Sequence, residues 1–499
     1  MENVLEWLEA AARKTPDAVA VADVETQLTF AQLRDGARRV GTFLGEQVAP
    51  GGAVALYLEK STKALCGMLG VVYAGCAYSV LDVRQPAARL ASILEKLQPA
   101  FVLTDAATEL QADAVLADTH YTATPVERAL QWDADEEVLA AARSATDRTS
   151  PLYVNFTSGS TGTPKGVVVS HGSVIDFIGH FTELFDFTSE DVIANQAPFD
   201  FDVSVKDIYG GMAVGAAVHL IPRDYFSVPV QLMDFLCDRR VTVCTWAVSA
   251  MCFVSTMNGF DYRTPDTVRI VIFSGEVMPP KHLAKWQAAL PHARFVNVYG
   301  PTEVTCNCTY WEVPPAFDGD VLPVGKPFPH AEVFLLDDGD ALVDTVGKQG
   351  QICVAGSGLA LGYAADKART DEAFTESPLC SGQRIYRTGD VGYWDENGNL
   401  VYAGRVDHQI KHLGQRIELG EIESVAQSCE GVDRACCLYN DTRKRILLYV
   451  VADCGKDALR GYLHDRLPSY MVPSKIVFVD AMPLTKNGKI DRTALAQLQ

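Results

Sequence analysis

Short apolar runs alternate with stretches of helical periodicity along most of the chain. Residues 53–57, 192–196, 217–221 and 269–273 are apolar runs of strand length, and residues 279–290 have amphipathic helical spacing. Strands that alternate with helices in this way are typical of α/β layers. The pattern therefore predicts a large multi-layer α/β domain.

The pattern changes near residue 403. Beyond it the sequence predicts, in order, a helix at 419–428, strands at 435–439 and 446–451, a helix at 456–467 and a strand at 475–479. A segment of about a hundred residues is within the usual size of a domain. We predict an α/β domain over residues 1–403 and a small α+β domain over residues 404–499.

A long uncharged stretch, residues 64–81, approaches the ~20 residues that span a bilayer. It contains three glycines, a serine and two tyrosines, which favours a buried helix followed by a strand. The first residues, Met-Glu-Asn-Val-Leu-Glu, are acidic where a signal peptide is basic. We therefore expect no membrane insertion and a cytoplasmic location.

Composition narrows the function further. The chain has 499 residues, a length that exceeds what one hydrophobic core normally organises. Of these residues, 48% are hydrophobic. Its net charge of -20 disfavours nucleic-acid binding, because an acidic surface repels a polyanion. The thirteen cysteines include no Cys-x-x-Cys pair, so we predict reduced thiols and no structural zinc.

Residues 157–166 read Thr-Ser-Gly-Ser-Thr-Gly-Thr-Pro-Lys-Gly and follow the apolar run 152–156. Glycines, hydroxyls and a lysine at a strand end are typical of a loop that wraps an anion. The spacing matches neither the Walker pattern nor the dinucleotide fingerprint Gly-x-Gly-x-x-Gly. A P-loop NTPase and a Rossmann dehydrogenase are therefore disfavoured, and a flexible linker does not explain the ordered Thr-Pro-Lys-Gly.

Further motifs follow at 297–303 (Asn-Val-Tyr-Gly-Pro-Thr-Glu), 386–390 (Tyr-Arg-Thr-Gly-Asp), 404–411, 414–423 and 487–492 (Asn-Gly-Lys-Ile-Asp-Arg). In this order the set resembles the adenylate-forming superfamily, and more narrowly the amino-acid adenylation domains of nonribosomal peptide synthetases. With weaker motifs included, the resemblance covers residues 28–492.

The resemblance implies ATP and Mg²⁺ as cofactors and a mobile C-terminal domain that reorients at Asp407. It implies a polyphosphate cradle at Thr157, Ser158, Gly159, Ser160, Thr161, Gly162 and Lys165, and nucleotide contacts at Asn297, Tyr299, Gly300, Asp390 and Arg405. It also implies catalytic roles for Lys489, Thr302, Glu303 and Gly414, with Glu303 as the Mg²⁺ ligand.

Asp202 indicates the substrate class. By the same resemblance it lies where amino-acid-activating members bind the substrate ammonium, which acyl-CoA synthetases and luciferases do not have to neutralise. The alternative is that Lys206, four residues on, pairs with Asp202. The implied pocket comprises Asp202, Val203, Lys206, Thr245, Ile272, Ser274, Val298, Cys306 and Asn307. Its lysine, serine, threonine and asparagine favour a substrate side chain with an anion or acceptors.

Several segments, such as Phe-Ser-Gly-Glu-Val-Met-Pro at 273–279, are most similar to D-alanine:carrier-protein ligases of teichoic acid modification. The sequence departs from that family at Ser274, where the ligases have cysteine. It also departs at Lys206 and Asn307, where they have apolar residues.

The sequence ends ten residues after Lys489, with no Gly-Gly-x-Ser carrier site. We therefore expect transfer of the aminoacyl group to the phosphopantetheine thiol of a carrier protein in trans. The alternatives are a D-alanine:carrier-protein ligase, an acyl-CoA ligase and a catalytically inactive nucleotide-binding module. The last predicts loss of Lys489, Glu303 or the loop glycines, all of which are present.

Overall fold

A computed structural model describes residues 1–117, 119–159, 163–315, 317–406, 409–484 and 490–497. The chain divides into two compact units, and the larger comprises Met1–Asp82, Gln98–Asn155 and Val167–Val406. The smaller comprises Val83–Leu97, Phe156–Gly166 and Asp407–Gln499. The predicted boundary at residue 404 and the hinge at Asp407 stay predictions, and Asp407 lies outside the described residues.

The larger unit contains a nine-stranded sheet whose central strands are parallel. Because the carboxyl ends of parallel strands lie at one edge, residues at those ends are brought close together. The strands, in spatial order, are Lys326–Pro327, Thr309–Val313, Arg294–Tyr299, Ile270–Ser274, Val243–Ala247, Val192–Asn195, Ala217–Leu220, Val19–Ala22 and Gln27–Thr29.

Both faces of this sheet are buried. Ile272 and Val296 pack in one hydrophobic cluster, whereas their neighbours Val271 and Phe295 pack in another. Burial on both faces explains why the central strands are continuous apolar runs in the sequence.

Two further sheets complete the strands of this part of the chain. A seven-stranded sheet has the order Gly362–Tyr363, Lys165–Ser170, Pro151–Thr157, Ala77–Leu81, Ala53–Tyr57, Phe101–Thr104, Ala123–Pro125. A five-stranded sheet has the order Ala331–Leu336, Gly350–Gly356, Arg384–Trp394, Phe374–Glu376, with Leu400–Arg405 also paired to Arg384–Trp394.

Helices of the larger unit pack around these sheets. They are Leu5–Lys14, Phe30–Gly45, Thr62–Tyr73, Glu109–Leu116, Val126–Ala129, Glu136–Ser144, His171–Leu184, Val203–Val214, Pro229–Asp238, Val248–Thr256, Gly259–Tyr262, Pro280–Ala289 and Lys367–Ala373. The uncharged stretch 64–81 forms most of the helix Thr62–Tyr73 and then the strand Ala77–Leu81, as predicted. Within the described ranges, no helix combines the length and apolar character needed to cross a membrane.

The smaller unit has an α+β core. Its three-stranded sheet consists of Val432–Asn440, Arg445–Ala452 and Lys475–Phe478, and a hairpin consists of Gln409–His412 and Gln415–Glu418. Its helices are Ala87–Leu97, Leu419–Gln427, Lys456–His464 and Arg492–Ala496. The predicted fold class is confirmed: a large α/β N-terminal part and a smaller α+β C-terminal part.

Gly300 lies where two backbone segments of the larger unit approach closely. A Cβ atom there would be 2.5 Å from the Cα of Asn307 and 2.8 Å from the carbonyl oxygen of Cys306. The N–H of Cys308 donates to the carbonyl of Tyr299 at 2.7 Å, which joins the segments. Thr305 and Cys306 have φ values of 58° and 68°, a region that residues other than glycine rarely adopt. The segment 305–308 is therefore fixed tightly against the end of the strand Arg294–Tyr299.

We predict that Gly300→Ala lowers the free energy of unfolding by about 1–3 kcal/mol, because the added methyl group meets backbone that cannot rotate away. Equilibrium urea unfolding followed by circular dichroism measures this loss. Gly179→Ala is the matched control, since a Cβ at Gly179, in the helix His171–Leu184, meets nothing within 4 Å. Removal of a helical glycine should stabilise by about 0.5–1 kcal/mol. Equal changes in the two variants would contradict the close approach.

Candidate active site

Asp202 is the N-cap residue of the helix Val203–Val214. Burial raises the pKa of its carboxyl group, and the negative charge of Glu303 adds to this effect. A hydrogen bond with Thr302 and the positive charge of Lys206 act in the opposite direction and lower the pKa. Asp202 and Thr302 are 100 positions apart in the sequence. The fold thus brings the predicted ammonium-binding carboxylate into contact with the residue predicted to touch the α-phosphate.

Glu303 lies in the 3-10 turn Thr302–Val304 and is completely buried, with 0% of its surface exposed. Its Oε1 accepts a hydrogen bond from the Tyr363 hydroxyl at 2.8 Å. A carboxylate oxygen is a ligand that Mg²⁺ prefers. In the described ranges, no group of three or more His, Cys, Asp or Glu side chains could hold a metal. The single carboxylate of Glu303 would suit an ion that takes its other ligands from phosphate oxygens.

Lys206 is buried, with 1% of its surface exposed, and its Nζ donates a hydrogen bond to Asn307 Oδ1 at 3.0 Å. Burial lowers the pKa of Lys206, and the neighbouring Cys306, Asp207 and Asp202 raise it. The alternative considered from the sequence required a pair between Lys206 and Asp202. The hydrogen bond of Lys206 goes instead to Asn307. Two predicted pocket residues, Lys206 and Asn307, are thus in direct contact.

The predicted strand residues of the pocket share one face of the nine-stranded sheet. Thr245 is paired in register with Ile272, and Ala247 is paired with Ser274. Ile272 and Val298 belong to the same hydrophobic cluster as Val205 and Ile208, on the helix Val203–Val214. Side chains alternate between the two faces of a strand, so Thr245, Ile272, Ser274 and Val298 all project toward this cluster. Val203 begins the helix and is partly buried.

Cys306, in the segment 305–308, contacts the start of the helix Val203–Val214. Its Sγ lies 3.0 Å from the carbonyl oxygen of Asp202. Burial raises the pKa of the Cys306 thiol well above its ordinary value, so this side chain stays neutral.

The predicted nucleotide residues of the larger unit form a second polar group. The Tyr299 hydroxyl donates to Asp390 Oδ2 at 2.5 Å, and Arg405 forms an ion pair with Asp390. Asp390 and Arg405 are register partners on adjacent strands. Asn297 Nδ2 donates to the carbonyl of Pro323 at 2.8 Å. Tyr299, Asp390 and Arg405 are therefore oriented by one another.

Within the smaller unit, the described part of the phosphate loop contacts the hairpin region. Ser158 Oγ donates to the carbonyl of Arg416 at 2.7 Å and accepts from the N–H of Glu418 at 3.1 Å. The N–H of Gly159 donates to Glu421 Oε2 at 3.2 Å, and Glu421 also pairs with Arg89.

The remaining residues of the two predicted loops are placed as follows. Thr157 ends the strand Pro151–Thr157, and the buried Lys165 begins the strand Lys165–Ser170. Gly414 has a φ of 79° in the hairpin turn, next to Leu413 at 53°, as a two-residue turn requires. The predicted site residues Ser160, Thr161, Gly162 and Lys489 lie outside the described residues.

The sequence analysis missed three polar residues near the pocket: Lys60, Asn195 and Asp207. Burial lowers the pKa of Lys60 to about 7, although the negative charges of Asp207 and Asp200 raise it. Burial raises the pKa of Asp207 to about 6, although hydrogen bonds from Thr245 and Asn195 lower it. Asn195 ends a parallel strand and Lys60 follows another. Position at the carboxyl ends of parallel strands is the signal that could have identified Lys60 and Asn195, whereas Asp207 lies within the helix Val203–Val214.

Comparisons with known proteins identify the family of this chain. The model of the AMP-binding enzyme family matches residues 8–364, and that of the AMP-binding enzyme C-terminal domain matches residues 421–489. Tyrocidine synthase 3 of Brevibacillus parabrevis is 33% identical over 501 aligned residues, which cover 98% of this chain and 8% of that protein. The chain thus spans less than a tenth of this much longer relative.

Two solved structures are similar over nearly the whole chain. One is holo-PA1221, a nonribosomal peptide synthetase protein with adenylation and PCP domains; it is 26% identical, with a TM-score of 0.84 and coverage of 99% of this chain and 84% of that one. The other is IdnL1, which is 27% identical, with a TM-score of 0.81 and coverage of 96% and 99%. Since the family model covers more than half of the sequence, the chain belongs to the AMP-binding enzyme family.

Proposed function

We propose that this chain adenylates an amino acid with ATP and then transfers the aminoacyl group to the phosphopantetheine thiol of a carrier protein. In the first step, a carboxylate oxygen of the amino acid attacks the α-phosphorus and pyrophosphate leaves. In the second step, the thiolate sulfur attacks the acyl carbon, and AMP leaves with the electron pair of the broken carbon–oxygen bond.

The contact between Asp202 and Thr302 is the observation that carries this proposal. An α-amino acid bears its ammonium one carbon away from its carboxylate. A site for adenylation therefore needs an ammonium acceptor beside the residues that bind the α-phosphate. Asp202 and Thr302 meet that requirement. The similarity to tyrocidine synthase 3 and to a protein with adenylation and PCP domains supports the same function.

Charge explains the roles we assign to the other residues. The attack joins two anions, so donors and cations must stabilise the charge that develops on the phosphate. Glu303 would hold Mg²⁺, which when bound neutralises phosphate charge. Asp390 and Arg405 would bind the ribose, with Tyr299 beside the adenine. Lys489 would contact the α-phosphate and the substrate carboxylate.

The partly buried carboxylate of Asp202 is the argument against an acyl-CoA ligase. Asp202 is held in an environment that disfavours its charge, and a substrate ammonium would neutralise it. A carboxylic acid without an amino group offers no such partner. We therefore assign an amino acid as the substrate.

The substrate side chain faces Lys206 in this proposal. An ammonium group has three N–H donors, and Asn307 accepts one of them. Across the part of the chain that the structure describes, the other two have no hydrogen-bond acceptor. A carboxylate or carbonyl group on the substrate would occupy them. We propose aspartate, glutamate or a polar relative, and the alternative is D-alanine, which the resemblance to D-alanine:carrier-protein ligases implies.

Lys489→Ala should reduce adenylation by about 10²-fold or more, the scale of losing one donor to the transition state. ATP–pyrophosphate exchange measures this step, and thioester formation from preformed aminoacyl-AMP measures the second. We expect the second to survive much better. An equal loss in both steps would show that Lys489 has another role.

A pyrophosphate-exchange panel over L- and D-amino acids tests the substrate class. We expect aspartate, glutamate or a polar relative to exceed D-alanine. Lys206→Met should reduce that preference by about 10- to 100-fold, since a hydrogen bond to a charged group contributes about 1.5–3 kcal/mol.

Lys281→Met, which alters an exposed lysine, should leave the preference unchanged. If D-alanine is the best substrate and Lys206→Met has no effect, the D-alanine alternative is correct.

A further inference from the structure

Lys60 is bound to the segment that leads into Asp202. Its Nζ lies 3.2 Å from the carbonyl oxygen of Asn195, 3.3 Å from that of Gln196 and 3.4 Å from that of Ala197. It also lies 3.1 Å from Asn195 Oδ1. Asn195 ends the strand Val192–Asn195, and the next helix begins at Val203. Lys60 thus orders one end of the short connection that carries Asp202.

A chain of hydrogen bonds continues from Lys60 to the pocket wall. Asn195 Nδ2 donates to Asp207 Oδ2 at 2.8 Å, and the Thr245 hydroxyl donates to Asp207 Oδ1. Asn195, Asp207 and Thr245 are all fully buried. Both oxygens of the Asp207 carboxylate are therefore bonded to neutral groups, while the charges of Lys60 and Lys206 act on it from nearby.

The charge of Asp207 acts on both lysines, and the charge of Asp200 also acts on Lys60. Lys206 donates to the neutral Asn307 and forms no direct hydrogen bond to Asp207. Asp202 would be occupied by the substrate ammonium. Removal of Lys60 or of Asp207 would then change the net charge around Lys206 by one unit, in opposite directions, in a place where charge is weakly solvated. An anion on the substrate side chain would bind the Lys206 ammonium.

We propose that Lys60 and Asp207 determine substrate selectivity through Lys206: Lys60 engages the Asp207 charge and so leaves the Lys206 ammonium available to an anionic substrate group. This inference rests on the proposed adenylation function and extends it to two residues that would not touch the substrate. They are positioning residues, since they act by setting the charge balance around Lys206.

The proposal predicts opposite effects for two substitutions. Lys60→Met removes a positive charge, so Asp207 is left to Lys206 alone, and the preference for an anionic substrate over its amide should fall. Asp207→Asn removes the competing internal anion, so the same preference should rise. A purely structural role for these residues would lower activity in both variants without moving the preference in opposite directions.

The experiment measures kcat/KM in pyrophosphate exchange for two isosteric pairs, aspartate with asparagine and glutamate with glutamine. We expect the acid-to-amide ratio to fall about tenfold or more in Lys60→Met and to rise about tenfold in Asp207→Asn, the scale of one changed charge at short range. The change should appear mainly in KM for the amino acid, with KM for ATP nearly constant. Lys60→Arg keeps the charge and should restore most of the wild-type ratio.

Lys63→Met is the matched control, because Lys63 lies three residues away and pairs with Glu127 with 53% of its side chain exposed. The acid-to-amide ratio of Lys63→Met should equal that of the wild type. Thermal unfolding of each variant separates a loss of folding from a change of selectivity. Asp207→Asn nearly preserves the shape of the side chain, so it still tests the proposal if Lys60→Met does not fold.

Ratios that stay constant, or that move in the same direction in both variants, overturn the inference. The inference is also overturned if the wild-type protein exchanges pyrophosphate only with amino acids whose side chains lack hydrogen-bond acceptors. That result leaves the adenylation proposal intact. Wild-type protein that exchanges pyrophosphate with no amino acid contradicts both.

Discussion

The free-energy cost of removing charged side chains from water is the constraint on which this pocket depends. Lys206 and Asp207 are adjacent in sequence and both almost completely buried, and an isolated buried charge is strongly unfavourable. Each is stabilised by neighbours from other elements: Asn307 for the lysine, and Thr245 and Asn195 for the aspartate. The proposed pocket thus contains buried charges that are stabilised by polar groups from several elements of the fold.

The nine-stranded sheet provides the rigid frame for this set. Parallel strands place Thr245, Ile272 and Ser274 in fixed register on one face, and the helix that begins after Asp202 packs against that face. Residues far apart in sequence therefore meet without any flexible loop between them. A frame of this kind holds functional side chains with the accuracy that catalysis and recognition require.

The sequence was sufficient for the fold class and the central elements, because apolar periodicity is a local property. Helix 279–290 is found at Pro280–Ala289 and strand 192–196 at Val192–Asn195. The strand Arg294–Tyr299 extends into the motif at 297–303, because Tyr299 still pairs with Thr309 on the next strand. The partner of Lys206 could not be derived, since Asp200, Asp202 and Asp207 all lie close to it in the sequence, whereas Asn307 is 101 positions away. Lys60 carried no motif and is 135 positions from Asn195; only the folded chain reveals that contact.

The left-handed backbone at Thr305 and Cys306 has a consequence for redesign of the pocket. A side chain at position 306 must be accommodated in a conformation that costs of order 1–3 kcal/mol for most residues and almost nothing for glycine. Exchange of Cys306 therefore alters the strain of the backbone together with the shape of the wall. Exchange of Ile272, on a regular strand, alters the wall and the packing of the hydrophobic cluster around it, but not the strain of the backbone. Libraries that retarget the proposed pocket can therefore vary position 272 within the volume that the core allows, whereas each residue at position 306 also has to adopt the left-handed backbone.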